Sequence, residues 1–204
     1  MKIILTPYQK IWLDQFLQIS RELQDALEGL NPAIEHIGST SVEGLSAKPI
    51  IDISTGVASA AEFDAVVARM RRLPTYIYYE AFNAGMPQRR LFVKLNDSVE
   101  ALGFKPVFDS LEEIPHEAIN EKRVAHVHVW VYGSEDWVRH IAFRDYLRTH
   151  ETVRTAYETL KMELACKEWP DGMAYNAAKD RFIKQVETEA IRWYRTRKAG
   201  PDDV

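Results

Sequence analysis

Apolar residues recur at helical spacing from Trp12 through Phe16, Ile19, Leu23, Ala26/Leu27 and Leu30, which predicts an amphipathic helix ending at Asn31-Pro32. Thr6-Pro7-Tyr8-Gln9 carries the residues of a capping box, so the helix is expected to start there, with Thr6 as cap. Two short apolar runs follow, Ala33–Ile37 and Pro49–Val57, on either side of a small-residue turn that opens with Gly38 and Ser39. Ser59 to Leu73 predicts a second amphipathic helix through Phe63, Val66, Val67 and Met70. Thr75–Glu80 reads as a strand, Asn83–Pro87 as a turn and Arg90–Leu95 as a return strand. Arg123–Val131 alternates, with Ala125, Val127, Val129 and Val131 on one face and His126, His128 and Trp130 on the other.

The final third has helical periodicity. One helix is expected to begin at Ser134 with Glu135-Asp136, a second at Thr149 with Glu151, and a last one spans about Met173 to Tyr194. Arg195 to Pro201 then reads as a frayed tail. Residues 96–122 break the rhythm with Asn96-Asp97-Ser98, Pro106 and Pro115, and read as a long loop or insertion with one short helix.

A chain of 204 residues fits one domain, or a core with a helical extension. The formal charge of −4, with no array of aromatic and basic residues, argues against a nucleic-acid partner. A single cysteine, Cys166, excludes an internal disulfide and a multi-thiolate zinc site, and its helical context predicts a buried structural thiol. No apolar run reaches membrane-spanning length and the N-terminus lacks a signal-peptide core, so no membrane contact and a cytoplasmic location are expected.

The chemistry gathers around Asp52, one carboxylate in an apolar run, where a charge is costly unless paired or bound to metal. Gly38 lets the backbone approach a bound group, and Ser39, Thr40 and Ser41 supply hydroxyl and N–H groups that suit phosphate or helix capping. Lys48 can neutralise charge in the same space. The plainer alternative is a capped turn with Asp52 bonded to a nearby Arg. His126-x-His128 on one strand face suits a metal if a third ligand approaches, and His36 is a candidate. Arg89, Arg90 and Lys94 concentrate positive charge that suits phosphates, or is simply solvated at a hairpin tip. Arg144, Arg148, Lys161 and Lys179 lie at helical intervals; ion pairs with Asp145, Glu158 and Glu163 explain them equally well.

Ile34-Glu35-His36-Ile37-Gly38-Ser39-Thr40-Ser41-Val42 with Gly44-Leu45, then Lys48-Pro49-Ile50-Ile51-Asp52-Ile53, resembles the signature of the GrpB family. The resemblance continues in order through Arg89–Phe92, His126–Val129, Phe143–Arg148, Tyr157, Leu160-Lys161, Leu164-Ala165, Tyr175, Lys179 and Phe182-Ile183. It implies an α+β, nucleotidyltransferase-like mixed sheet flanked by helices. Residues 1–132 would form the core, with the insertion near 96–122, and residues 133–204 a helical portion packed on it. It further implies catalytic roles for Asp52 and His128, and metal ligation by Asp52, His126, His128 and Glu35. Phosphate contacts would come from Gly38, Ser39, Thr40, Ser41, Lys48, Arg89, Arg90, Lys94, Arg144, Arg148, Lys161 and Lys179. The implied cofactors are Mg2+ or Mn2+ and a nucleoside triphosphate, ATP being the expected one, and the partner a small-molecule acceptor. Relatives fused to dephospho-CoA kinase suit an accessory, non-catalytic alternative; a His-based metal site is a third. The sequence departs from the nucleotidyltransferase pattern at Ser54, where a second acid belongs.

Overall fold

The computed structural model describes residues 2–198. Its centre is a six-stranded mixed sheet in the order β1-β2-β6-β4-β3-β5. The strands are β1 (Ala33–Ile37), β2 (Ile51–Val57), β3 (Tyr76–Tyr79), β4 (Arg90–Leu95), β5 (Val107–Phe108) and β6 (Arg123–Val131). β2 and β6 run parallel, as do β3 and β5, and the remaining pairs are antiparallel. Six α-helices accompany the sheet among the described residues: α1 (Ile11–Ala26), α2 (Phe63–Met70), α3 (His116–Lys122), α4 (Glu135–Thr149), α5 (Glu151–Ala165) and α6 (Gly172–Lys198). The expected α+β class, a mixed sheet flanked by helices with a helical C-terminal part, is the architecture observed.

The two-residue period of the strands decides what each face does. On one face Ile51, Ile53, Val57, Phe92, Ala125, Val127 and Val129 pack against Trp12, Ile19 and Leu23 of α1 and Phe63, Val66 and Met70 of α2. Burying each such side chain is worth roughly 1.5–3 kcal/mol before entropy is subtracted, so this is the main core. The other face is covered in two places. Ile77, Tyr79, Leu91, Val93 and Leu95 pack under Val99, Phe108, Ile114 and Ile119 of the 96–122 segment. Ile37 and Trp130 pack under Trp137 and Ile141 of α4. Gly56 makes that second contact possible, because a Cβ there would lie 2.9 Å from the Trp137 ring. Between these patches the same face presents Asp52, Ser54, His126 and His128.

Several local expectations are corrected. Thr6 does not cap α1: its backbone exchanges both hydrogen bonds with Ala47, and the helix starts four residues past Pro7 with no side-chain cap. α1 ends at Ala26, earlier than its apolar stripe, and α2 is confined to Phe63–Met70 behind a short 3-10 turn. The 96–122 segment holds β5 as well as α3. Ser134 caps α4 as expected, accepting from Trp137 N–H, but Thr149 turns its hydroxyl back to the carbonyl of Asp145 and His150 precedes α5. α6 continues to Lys198, so Arg195–Lys198 are helical, whereas Ala199 to Pro201 lie outside the described residues. Cys166 is exposed, because it sits just past the end of α5 rather than on its packed face.

Candidate functional site

The site grows from the pairing of β2 with β6. Asp52 stands opposite His126 and Ser54 opposite His128, so the carboxylate and both imidazoles share one face. Asp52 Oδ1 lies 2.9 Å from His126 Nδ1. One ligand atom each from Asp52, His126 and His128 falls within 4.8 Å of the other two, the spacing of donors around one cation. Burial alone raises the Asp52 carboxyl. The His126 hydrogen bond, helped by the electrostatic influence of the two imidazoles and the Arg123 guanidinium, brings it below the usual carboxylate range. Burial, with His126 and His140 nearby, pushes His128 well below the usual imidazole value, leaving it a neutral donor.

Gly38 bounds the carboxylate. Its φ of 70° and ψ of −175° belong to a region essentially reserved for glycine. A Cβ there would overlap Asp52 Oδ2 and sit 3.0 Å from the Asp52 Cβ. The turn that follows is a single 3-10 turn, Ser39–Ser41, not the start of an α-helix, so no helix dipole aims at the site. Within it Ser39 faces the cleft: its Oγ is 3.5 Å from Lys161 Nζ and it bonds the Tyr157 hydroxyl. Ser41 closes the turn on the Gly38 carbonyl at 2.6 Å, and Thr40 bonds His36 and the Ile50 carbonyl.

Helical periodicity brings the lysines in. Tyr157, Lys161 and Leu164 form the buried stripe of α5, and Tyr175 and Lys179 continue to Val186 along α6. Each lysine thus occupies a position where an apolar side chain is usual. Lys161 is 2% exposed, bonds the Ser46 carbonyl and pairs with Glu158 at 3.2 Å. Lys179 is driven down to about 8 by burial and then by Lys48 and Lys161, with Asp52 opposing. Burial and Arg123 lower Lys48 as well. Neither Lys48 nor Lys179 has a carboxylate within ion-pair distance among the described residues. Both ammonium groups lie over the ring of Tyr175, whose hydroxyl is buried without a partner. Ser54 Oγ, His128 Nδ1, Trp130 Nε1 and Arg123 Nε are likewise buried and unpartnered. Such groups each cost about 1–3 kcal/mol when left unsatisfied, and here they cluster on the Asp52 face.

Other candidates are placed elsewhere. Arg90 and Lys94 pair with Val129 and Ala125 and therefore point to the opposite face. There Arg90 lies over Phe63, and Lys94 is bound to Glu22 and Thr75. Arg89 stays near the site, over Trp130 and close enough to His128 to act on it. His36 sits opposite Ile53, stacked on Phe16 of α1, so it is not the third partner of the His pair. Glu35 is on the Asp52 face but is held by Arg144, which also bonds the His36 carbonyl and Asp145. Arg148 holds the Ser41 carbonyl at 2.7 Å. These arginines fasten α4 to β1 and the turn, outside the Asp52 cluster.

Sequence reasoning missed Arg123, Tyr157, Tyr175 and His140 as site neighbours. Strict alternation assigns Arg123 to the face of Ala125. An irregularity at Lys94/Leu95 puts Leu95 opposite Arg123 and skips Val124, which turns Arg123 onto the Asp52 face. Tyr157 and Tyr175 were detectable, each lying four residues before a lysine on the packed side of its helix.

The family model described as GrpB protein matches residues 2–189. The chain belongs to the GrpB family. A solved structure of the conserved protein GrpB from Enterococcus faecalis superposes with a TM-score of 0.72 at 34% identity, covering 94% of this chain and 99% of that one. The chain is also 31% identical to UPF0157 protein YqkA of Bacillus subtilis over 96% of its length, but spans only 49% of that protein. It is 29% identical to glutamate-rich protein GrpB of Alkalihalophilus pseudofirmus, covering 92% of this chain and 95% of the relative. No helix among the described residues is long and apolar enough to cross a membrane.

Proposed function

We propose that this GrpB protein is a metal- and nucleotide-dependent enzyme that transfers a nucleotidyl group to, or thereby activates, a small-molecule acceptor. The observation that carries the reading is the cluster of Asp52, His126 and His128, with Lys179 close enough to feel the charges of Asp52, Lys48 and Lys161. The donor set fits a divalent metal: three ligand atoms converge, His128 is neutral, and its Nδ1 lacks a protein partner. Two imidazoles and one carboxylate suit Mn2+ or zinc better than Mg2+, which prefers an all-oxygen shell. When bound, such a metal supplies Lewis-acid charge at a phosphoryl oxygen.

The protein's own groups do the rest. Lys48, Lys179 and the Tyr175 hydroxyl bind and orient the phosphates of ATP, and Ser39 and Lys161 fix the turn beside them. The carboxylate of Asp52, ionised across the physiological range, balances the cation and keeps His126 oriented. Ser54 in place of a second acid favours one alternative, a nucleotide-binding module without turnover.

Calorimetric titration of ATP with Mn2+ or Mg2+ tests the reading. Binding to the wild type that weakens at least tenfold in Lys179→Ala but not in Lys94→Ala, with pyrophosphate released on adding acceptors, supports the enzyme. Binding without pyrophosphate release leaves the module. No binding, or equal loss in both variants, refutes the nucleotide reading.

A further inference from the structure

A second cavity, of about 590 Å³, opens along the free edge of β1, between α1 and the α4–α5 junction. Asp52, His126 and His128 do not line it: from β1 it takes Ile34 and His36, on the α1 face of the sheet, with Glu35 reaching it from the other face at the edge. Its lining divides by chemistry. Tyr8, Leu13 and Phe16 form an apolar wall, and Leu13 is 49% exposed, as are its α1 neighbours Ile11 and Leu17 to a similar degree. Arg148 and Arg154 form the opposite wall with Arg144 behind them.

The arginines differ in how well they are neutralised. Arg144 is saturated by Glu35, Asp145 and the His36 carbonyl. Arg148 bonds the Ser41 carbonyl through Nε and Nη2, and its one ion pair among the described residues, with Asp145 at 3.5 Å, is shared with Arg144. Burial and then the Arg144 charge lower the Arg148 guanidinium, with Asp145 and Glu35 opposing. Among the described residues Arg154 hydrogen-bonds only the backbone carbonyls of Leu147 and Arg148. Glu43 also lines the cavity, so three guanidinium groups stand among three carboxylates, of which Glu35 and Asp145 are engaged by Arg144 and Glu43 forms no ion pair among the described residues. His36 adds an acceptor. Thr40 gives its hydroxyl hydrogen to the Ile50 carbonyl and so accepts from His36 Nε2, which leaves Nδ1 as the lone-pair nitrogen.

We propose that this cavity is a second binding site, independent of metal and nucleotide, for a small organic acid with an aromatic or branched apolar body. The acid group meets Arg148 and Arg154 bidentately, and the body lies against Leu13, Phe16 and Tyr8. Because Arg148 also grips the Ser41 carbonyl, the occupant touches the turn that carries Gly38 and Ser39.

The probe is 8-anilinonaphthalene-1-sulfonate, an arylsulfonate of suitable size, followed by fluorescence without metal. One site per chain is expected, weakened at least tenfold in Arg154→Gln and in Leu13→Glu, two exposed or rim substitutions that leave the core intact. Benzoate or phenylacetate should displace it, whereas uncharged N-phenyl-1-naphthylamine should bind at least tenfold more weakly. His126→Ala/His128→Ala should bind the probe like the wild type, which separates this site from the metal reading. Non-saturable fluorescence, no effect of either substitution, or equal binding of the uncharged analogue would overturn the proposal.

Discussion

Gly38→Ala is the substitution whose cost the geometry defines best. At φ 70° and ψ −175° an alanine sits in strained backbone, worth about 1–3 kcal/mol. Its Cβ also meets the Asp52 carboxylate, with Asp52 Cβ at 3.0 Å and Cγ at 3.1 Å, so Asp52 must leave its place beside His126. Overpacking of this kind costs a further 1–3 kcal/mol or so. The sum, about 2–6 kcal/mol, is a large part of a typical folding stability. Urea unfolding followed by far-UV circular dichroism reads it directly. With a slope of about 2 kcal/mol per molar, the midpoint should fall by roughly 1–3 M. Gly85→Ala is the control, because a Cβ there meets nothing and the expected change is within about 0.5 kcal/mol. A Gly38→Ala protein within 0.5 kcal/mol or so of the wild type would refute the claim that this glycine makes room for Asp52.

The same geometry sets further expectations. His36 is held at about 4 by burial, below its unfolded value of 6.5, so the stability it confers is full above 6.5 and is lost as pH falls towards 4. His36→Phe keeps the stack on Phe16; between pH 7 and pH 5 the wild type should lose about 2 kcal/mol more than this variant in urea unfolding, and equal losses would contradict the assignment. Arg144→Met strips Glu35, Asp145 and the His36 carbonyl of their common partner, and should cost about 2–3 kcal/mol by the same measurement. A cost below about 0.5 kcal/mol would mean that α4 is held to β1 by packing alone.

Every strand but β5, and most helices, were legible because their signals are local. The alternation of Ala125–Val131 placed His126 and His128 on one face, and the capping signal at Ser134 placed α4. What remained hidden depends on pairings between distant residues. Nothing local says that β6 inserts between β2 and β4, and that insertion puts Asp52 beside His126. The same pairing turns Arg90 and Lys94 to the far face, although their charges stand next to Arg89 in sequence. His36 was placed near the His pair by strand proximity, but its one-residue offset from Ile37, the partner of Asp52, reverses its face. Thr6 has the composition of a helix cap, yet pairing with Ala47 satisfies its backbone first. Arg123 reached the site through one skipped residue, a deviation that periodicity cannot report.

Equilibrium dialysis of Mn2+ against the protein, with Asp52→Asn and His126→Ala/His128→Ala alongside, tests the central claim most directly. One ion per chain in the wild type, with affinity falling at least tenfold in each variant, is the predicted result. Mn2+ that stays bound with undiminished affinity in both variants, or no binding to any of the three proteins, would contradict it.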